Sequence, residues 1–298
     1  MIGKENLRKN LTGNMAFYSY LPCKMQEYDV IVDDLMKKQM ERLHGLFGEL
    51  NKRLTETGDE VLEGLMDSEA HASWILASGK RPSPFMIQTS GVADELAKEN
   101  VNNIKRAYRY AREALKKYPL CSRLFCNIHY IVCESVAYDK KYRGEYRNSP
   151  VWIGKEGSSI REASFVPPVD SDMIEALSDL ETFINYSDMD VFLKAAMIHY
   201  QFEMTHPFID ANGRVGRILN GLFLCEAGVL PTPVLLFSQA LLSSADDYYQ
   251  NIQYTNLSQD MNSWIRFFLL RLECGVRETL GLFPSSTMKE GDSLVGGV

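Results

Sequence analysis

The sequence predicts a mainly α-helical bundle that carries one short β-hairpin. Three observations predict it. Apolar residues recur at steps of three and four through most of the chain, the spacing that gathers one face of an α-helix. One stretch, 144–168, breaks that rhythm with extended segments joined by glycine turns. A third stretch, His206 to Arg217, concentrates polar chemistry and runs straight into an apolar helical pattern.

Taken in order, the first segment to about Pro22 is polar and then extended. Met36, Met40, Leu43, Phe47, Leu50 and Leu54 define a long amphipathic helix within 30–54, broken at Thr57-Gly58-Asp59. A second helix begins near Asp59 and runs through Leu62, Leu65, Met66 and Ala70 toward Leu76, ended by a loop at 79–84. A third spans Val92 to Leu115, with Leu96, Val101, Ile104, Tyr108 and Ala111 inward. Pro119 starts a fourth, burying Leu120, Leu124, Ile128, Ile131 and Val132.

The extended stretch follows, ended by Pro167-Pro168, and reads as a hairpin that needs something to pack on. Helices resume at Asp172, which with Glu175 suggests a capping box. The next helix, about 190–205, leads into the polar segment, and its His199 reads as packed or hydrogen-bonded structure. The helix after the segment stops at Ala227-Gly228. Two more are expected, about 239–258 and 262–279, before a loose tail. Tyr248, Tyr249 and Tyr254 are candidates for a base pocket, with aromatic core as the plainer reading.

Composition bounds the function. A chain of 298 residues that is 45% hydrophobic can bury one large core or two modest ones. Lys+Arg 32 against Asp+Glu 39 gives a net charge of −7, which argues against nucleic-acid and anionic-membrane partners. The six cysteines form no C-x-x-C pair, and no run is apolar enough to span a bilayer or act as a signal peptide. A cytoplasmic setting is expected.

The segment His206–Arg217 reads H-P-F-I-D-A-N-G-R-V-G-R. Ile218, Leu219, Leu222 and Phe223 follow at helical spacing, so Asn212 and Gly213 stand at a helix start, where unpaired N–H groups favour anions. Arg214 and Arg217 share one face of that first turn and suit a polyphosphate, because guanidinium forks match phosphate oxygens in pairs. Asp210 is a candidate ligand for Mg2+ bridging phosphates, and His206 a candidate general base. Each fragment alone is a turn, a helix stop or a solvated face; in register before one apolar helix they make a nucleotide site with its own base.

The segment closely resembles the Fic (Fic/Doc) family signature H-x-F-x-D/E-G-N-G-R-x-x-R, with Ala211 where the family usually has glycine. The resemblance implies a Fic-type helical bundle whose members mostly transfer AMP from ATP to a hydroxyl side chain of a target protein. His206 would then take the proton of the attacking hydroxyl and Asp210 would hold Mg2+. The N–H groups of Asn212 and Gly213, with the Asn212 side chain, would cradle the α-phosphate, Arg214 the β-phosphate side and Arg217 the γ-phosphate. Some relatives move phosphate, UMP or phosphocholine, or remove AMP; a non-catalytic nucleotide-binding module is the alternative of another class. The cofactors implied are ATP and Mg2+; the partners are ATP and a target protein, the chain itself among the candidates, with a homodimer allowed.

Two further segments carry the resemblance. Gly144, Tyr146, Arg147, 151–154, Ala163 and Phe165 to Pro168 match a family flap that lies over the active site and registers the target as an added strand. Ile160, Arg161 and Phe165 are then expected to meet the target, the first two near the flap's tip. Glu69-Ala-His-Ala-Ser73 opens a partial match to the family's inhibitory helix S/T-x-x-x-E-G/N, in which Ala77 falls where the glutamate belongs and Ser78 departs too. In the family that glutamate pairs with the second arginine of the signature, here Arg217. The implied organisation is an N-terminal helical region with an inhibitory-type helix (1–90), a catalytic core (91–279) and a tail (280–298), released from autoinhibition.

Overall fold

The architecture is organised around two buried helices joined by the polar segment. A computed structural model describes residues 6–11, 13–78, 91–135, 140–155 and 157–283. Helix α6 (Val191–Thr205) and helix α7 (Asn212–Glu226) are the central pair, shielded on nearly every face. Both are buried around nearly the whole circumference, their polar residues such as Gln201, Arg214 and Arg217 included, which marks helices of the interior rather than of its surface. The 206–211 connection is therefore clamped at both ends by core.

The remaining helices wrap this pair: α1 (Asp34–Thr55), α2 (Asp59–Ser78), α3 (Gly91–Leu115), α4 (Ser122–Val132), α5 (Asp170–Tyr186), α8 (Phe237–Leu242), α9 (Ala245–Ser258) and α10 (Met261–Gly281). Against α7 pack α2, α3 and α4; against α6 pack α5 and α10. The amphipathic pattern of α1 buries Met36, Leu43, Phe47, Leu50 and Leu54 as its spacing predicts. Asp33 caps that helix by accepting the Met36 N–H at 2.9 Å, and it also receives Arg266 from α10. One hydrophobic cluster runs from Tyr20 to Val276, so α1 and α2 share the core of the later helices. Each fully buried Leu, Ile or Phe in it stabilises the fold by roughly 1.5–3 kcal/mol.

Gly221 shows how closely α7 is packed. A Cβ there would stand 2.9 Å from the Pro233 carbonyl oxygen, so only glycine lets the 232–234 turn approach.

Several expectations are corrected. Among the described residues the one ladder lies at the N-terminal side, where β1 (Leu7–Asn10) pairs antiparallel with β2 (Phe17–Tyr20). Among the described residues the 144–168 stretch holds a single antiparallel bridge, Ile153 to Phe165, and some of its backbone groups bond to other parts of the chain instead. Arg147 N–H reaches Pro207 O at 3.0 Å, and Tyr20 N–H takes Val166 O at 2.8 Å. The capping box at Asp172 does not form: α5 starts two residues earlier behind Val169, and the buried Asp172 carboxylate instead meets Arg8 at 2.7 Å. The helix expected at about 239–258 is two, α8 and α9, parted by Ser243-Ser244. The expected loop at 79–84, and the tail from 284 onward, lie outside the described residues. Among the described residues no helix is long and apolar enough to cross a membrane, and the six cysteines form no disulfide.

Candidate active site

Helix α6 ends in a residue that leaves the helix in the left-handed conformation, His206 at φ 47°. That geometry turns the imidazole back on its own helix, where Nδ1 lies 3.2 Å from the Glu203 carbonyl oxygen. A carbonyl only accepts, so Nδ1 carries the proton and Nε2 keeps its lone pair. Burial, reinforced by the Arg147 guanidinium and opposed by the Glu203 carbonyl and Asp210, lowers the His206 pKa to about 4. At neutral pH the ring is neutral and able to take a proton.

Arg147 fixes this corner from below. It is buried, and its Nε donates to His206 O at 2.8 Å while Nη2 donates to Pro168 O at 2.5 Å and Thr205 O at 3.3 Å. One guanidinium thus ties the root of the 144–168 stretch to the base.

The loop then turns sharply into α7. Ala211, the residue before the helix, has φ 64°, a conformation that costs an L-residue with a side chain about 1–2 kcal/mol. The Asn212 side chain holds the turn from inside: Oδ1 accepts the Phe208 N–H at 2.8 Å and Nδ2 donates to Phe208 O at 2.8 Å. That side chain was expected to cradle a phosphate; it is committed to the loop, which leaves the backbone N–H groups of α7's first turn for an anion. Phe208 is fully buried and stacks on His129 with ring centres 3.8 Å apart. His129 Nδ1 accepts the Gly144 N–H at 2.9 Å, so its Nε2–H faces Asp210 O at 3.2 Å.

Asp210 itself is exposed at the rim. Its Oδ1 accepts the Ala211 N–H at 2.5 Å and meets Arg214 Nη2 at 3.4 Å. The described residues hold no cluster of three or more acidic, His or Cys side chains that would cage a metal ion. A single exposed carboxylate beside a helix start does fit Mg2+, which takes one or two carboxylates and completes its shell with phosphate and water.

Both signature arginines are buried. Arg214 reaches Asn100 of α3 at 3.3 Å and lies over the Trp74 ring of α2, 5.5 Å from its centre. Arg217 donates Nε to Ser73 Oγ at 3.0 Å and Nη2 to Ser73 O at 2.8 Å. Its Nη1 closes over Gly213, where a Cβ would stand 2.9 Å from it. So α2 docks directly on the signature helix, and Ala77, one turn beyond Ser73, lines the cavity.

That cavity is about 530 Å³ and brings together His206, Asp210, Asn212, Gly213, Arg214 and Arg217. Its size suits a nucleotide. Ile153, Ser164 and Phe165 cover one side, Tyr248, Tyr249 and Ile252 of α9 another. Of the tyrosine candidates, Tyr248 is buried and Tyr249 half exposed, both lining the cavity, while Tyr254 lies outside it. Of the flap candidates only Phe165 borders the main cavity. Ile160 and Arg161 line a neighbouring groove, about 410 Å³, shared with Phe17, Tyr18 and Tyr20 of the β1–β2 hairpin. Sequence reasoning missed His129, Arg147 as a tether, and Glu203. All three sit in runs that look like helix or turn, and only their long-range contacts reveal them.

Three comparisons bear on this site. The Fic/DOC family model matches residues 119–224, which include α4, α6 and nearly all of α7. Protein adenylyltransferase fic-1 of Caenorhabditis briggsae is 26% identical over 147 residues, 48% of this chain and 26% of that protein. A probable protein adenylyltransferase of Aquifex aeolicus is 32% identical over 142 residues, 46% of this chain and 44% of its own. The chain thus spans less than half the length of these curated relatives. A Fic family protein from Desulfovibrio desulfuricans superposes with a TM-score of 0.60 at 18% identity, covering 82% of this chain and 74% of that one. The 134–508 fragment of Caenorhabditis elegans Fic-1 gives 0.57 at 20% identity, covering 82% and 72%. At those identities the likeness is one of fold.

Proposed function

Residues 119–224 form a Fic/DOC family domain, and on that premise we propose that the chain is a protein adenylyltransferase, moving AMP from ATP to a hydroxyl side chain of a protein. One observation carries the reading: His206, its Nδ1 proton committed to Glu203 O, borders the same cavity as the α7 start and its two arginines. A module that only held a nucleotide would have no use for an oriented base. The names printed for the relatives support the same activity.

The geometry supports the following division of labour. Nε2 of His206 takes the proton as the target oxygen bonds to the α-phosphorus; the bond from that phosphorus to the bridging oxygen breaks and pyrophosphate leaves. The N–H groups of α7's first turn hold the α-phosphate, and Arg214 and Arg217 neutralise the departing charge. Asp210 would hold Mg2+, which supplies charge neutralisation between phosphates. The target segment would lie along the Ile153–Phe165 side of the cavity.

The docking of α2 adds a regulatory reading. In the family the residue at the Ala77 position is a glutamate that pairs with the second arginine. A methyl group there neither repels a phosphate nor occupies a guanidinium, so this chain is in a released form. Incubating the purified chain with ATP and Mg2+ and weighing it intact tests the activity: added AMP is expected, and added phosphate alone would mean a kinase instead.

A further inference from the structure

One polar group in the cavity has no task in the reaction above. Glu203 lies one turn before His206 on α6 and borders the cavity, yet its Oε1 is shielded from solvent with no hydrogen-bond partner. Across from it α7 presents Gly216, where a Cβ would stand 2.5 Å from Oε1 and leave the carboxyl no room. A buried carboxyl left without a partner costs stability and asks for a ligand.

Its charged and titratable surroundings are specific. Arg217 of α7 attracts the ionised form, and Tyr248 and Tyr249 of α9 face it from the other wall. His206 and His199 sit on its own helix, and Glu69 of α2 stands behind Arg217. An ionised carboxylate beside a triphosphate adds repulsion, whereas a protonated one offers an O–H donor to a phosphate oxygen.

We infer that Glu203 is a further ligand of the nucleotide's terminal phosphate, donating from its neutral carboxyl alongside Arg217, so that binding takes up a proton. The inference rests on the cavity being an ATP site. Burial, opposed by Arg217, holds the Glu203 pKa up at about 7, which divides the empty protein between both forms near neutral pH. A phosphate arriving beside it favours the protonated form further, and the proton comes from solvent. Affinity for ATP then falls as pH rises past 7, by up to about tenfold per unit.

Titration calorimetry of the full chain with Mg2+-ATP at pH 8, in two buffers of different ionisation heat, reads the proton directly. Wild type is expected to take up a large fraction of a proton with ATP and far less with AMP, which lacks the terminal phosphate. Glu203→Gln, the same shape with a permanent N–H donor, should bind ATP without that uptake and lose the affinity change between pH 7 and 9. Wild type alone suffices if the variant does not fold, because ATP and AMP differ in it. Equal uptake with ATP and AMP, or the same pH profile in Glu203→Gln, would overturn the role of Glu203 while leaving the nucleotide site standing. No binding of ATP by wild type would overturn both.

Discussion

Arg217 of α7 is held twice by Ser73 of α2, through Nε to the hydroxyl and Nη2 to the carbonyl. A helix distant in sequence therefore reaches the cation proposed above as a phosphate ligand, and Ala77 of the same helix borders the cavity one turn on. Ala77→Glu would bring a carboxylate to that guanidinium. The expected outcome is a ten- to hundredfold fall in transfer rate at limiting ATP, from a charged hydrogen bond of about 1.5–3 kcal/mol. Unchanged rates in that variant would remove α2 from any regulatory role.

The Ala211 backbone offers a stability test. Its φ of 64° strains an alanine by about 1–2 kcal/mol, while glycine adds about 0.5–1 kcal/mol of unfolded-state freedom. Ala211→Gly should therefore gain up to about 1 kcal/mol in urea unfolding. A loss of stability would mean that the loop does not rest in this conformation.

His129 joins the root of the 144–168 stretch to the 206–211 loop through Gly144 and Asp210. His129→Phe keeps the stack on Phe208 but strands the Gly144 N–H, at about 1–3 kcal/mol of stability. With Asp210 less firmly placed, half-maximal transfer should require more Mg2+. A variant that loses stability yet keeps the wild-type Mg2+ dependence would make His129 purely structural.

His199 sets an acid limit on the fold. Its ring donates to Tyr248 OH and accepts from Asn220, both at 2.9 Å, and burial lowers its pKa to about 3 from the ordinary 6.5. The unfolded chain binds the proton first, so the stability His199 contributes is complete above pH 6.5. It is lost as pH falls from there toward 3, at up to about 1.4 kcal/mol per unit. Urea unfolding across pH 7 to 4 should show a shallower decline for His199→Gln than for wild type; parallel curves would contradict this.

What was legible in the sequence was local. The three-and-four rhythm marks the helices, and the cluster from His206 to Arg217 marks the candidate site because its polar residues lie within one turn and loop and border one cavity. Ala211 stands out in the sequence as a departure from the family's glycine, and the structure gives that departure its meaning in a φ of 64°. Illegible were groups whose meaning lies in distant partners. Arg147 looks like a flap residue until its guanidinium is seen on the backbone of residues 205, 206 and 168. Glu203 looks like a helix residue until Gly216 appears opposite it. The β1–β2 pair escaped because each strand has four residues, too few for a clear alternation. Asp172 with Glu175 has the pattern of a local cap, but Arg8 claims it from near the N-terminus.

The most direct test of the central claim follows the α-phosphate of ATP. Wild type and His206→Ala are each incubated with Mg2+ and ATP labelled at either the α- or the γ-phosphate, in the presence of candidate target proteins. The account predicts protein-bound label from α-tagged ATP only, reduced at least about 10²-fold in the variant, with the variant's fold unchanged by circular dichroism. Label carried over from γ-tagged ATP, or undiminished transfer without the imidazole, would contradict it.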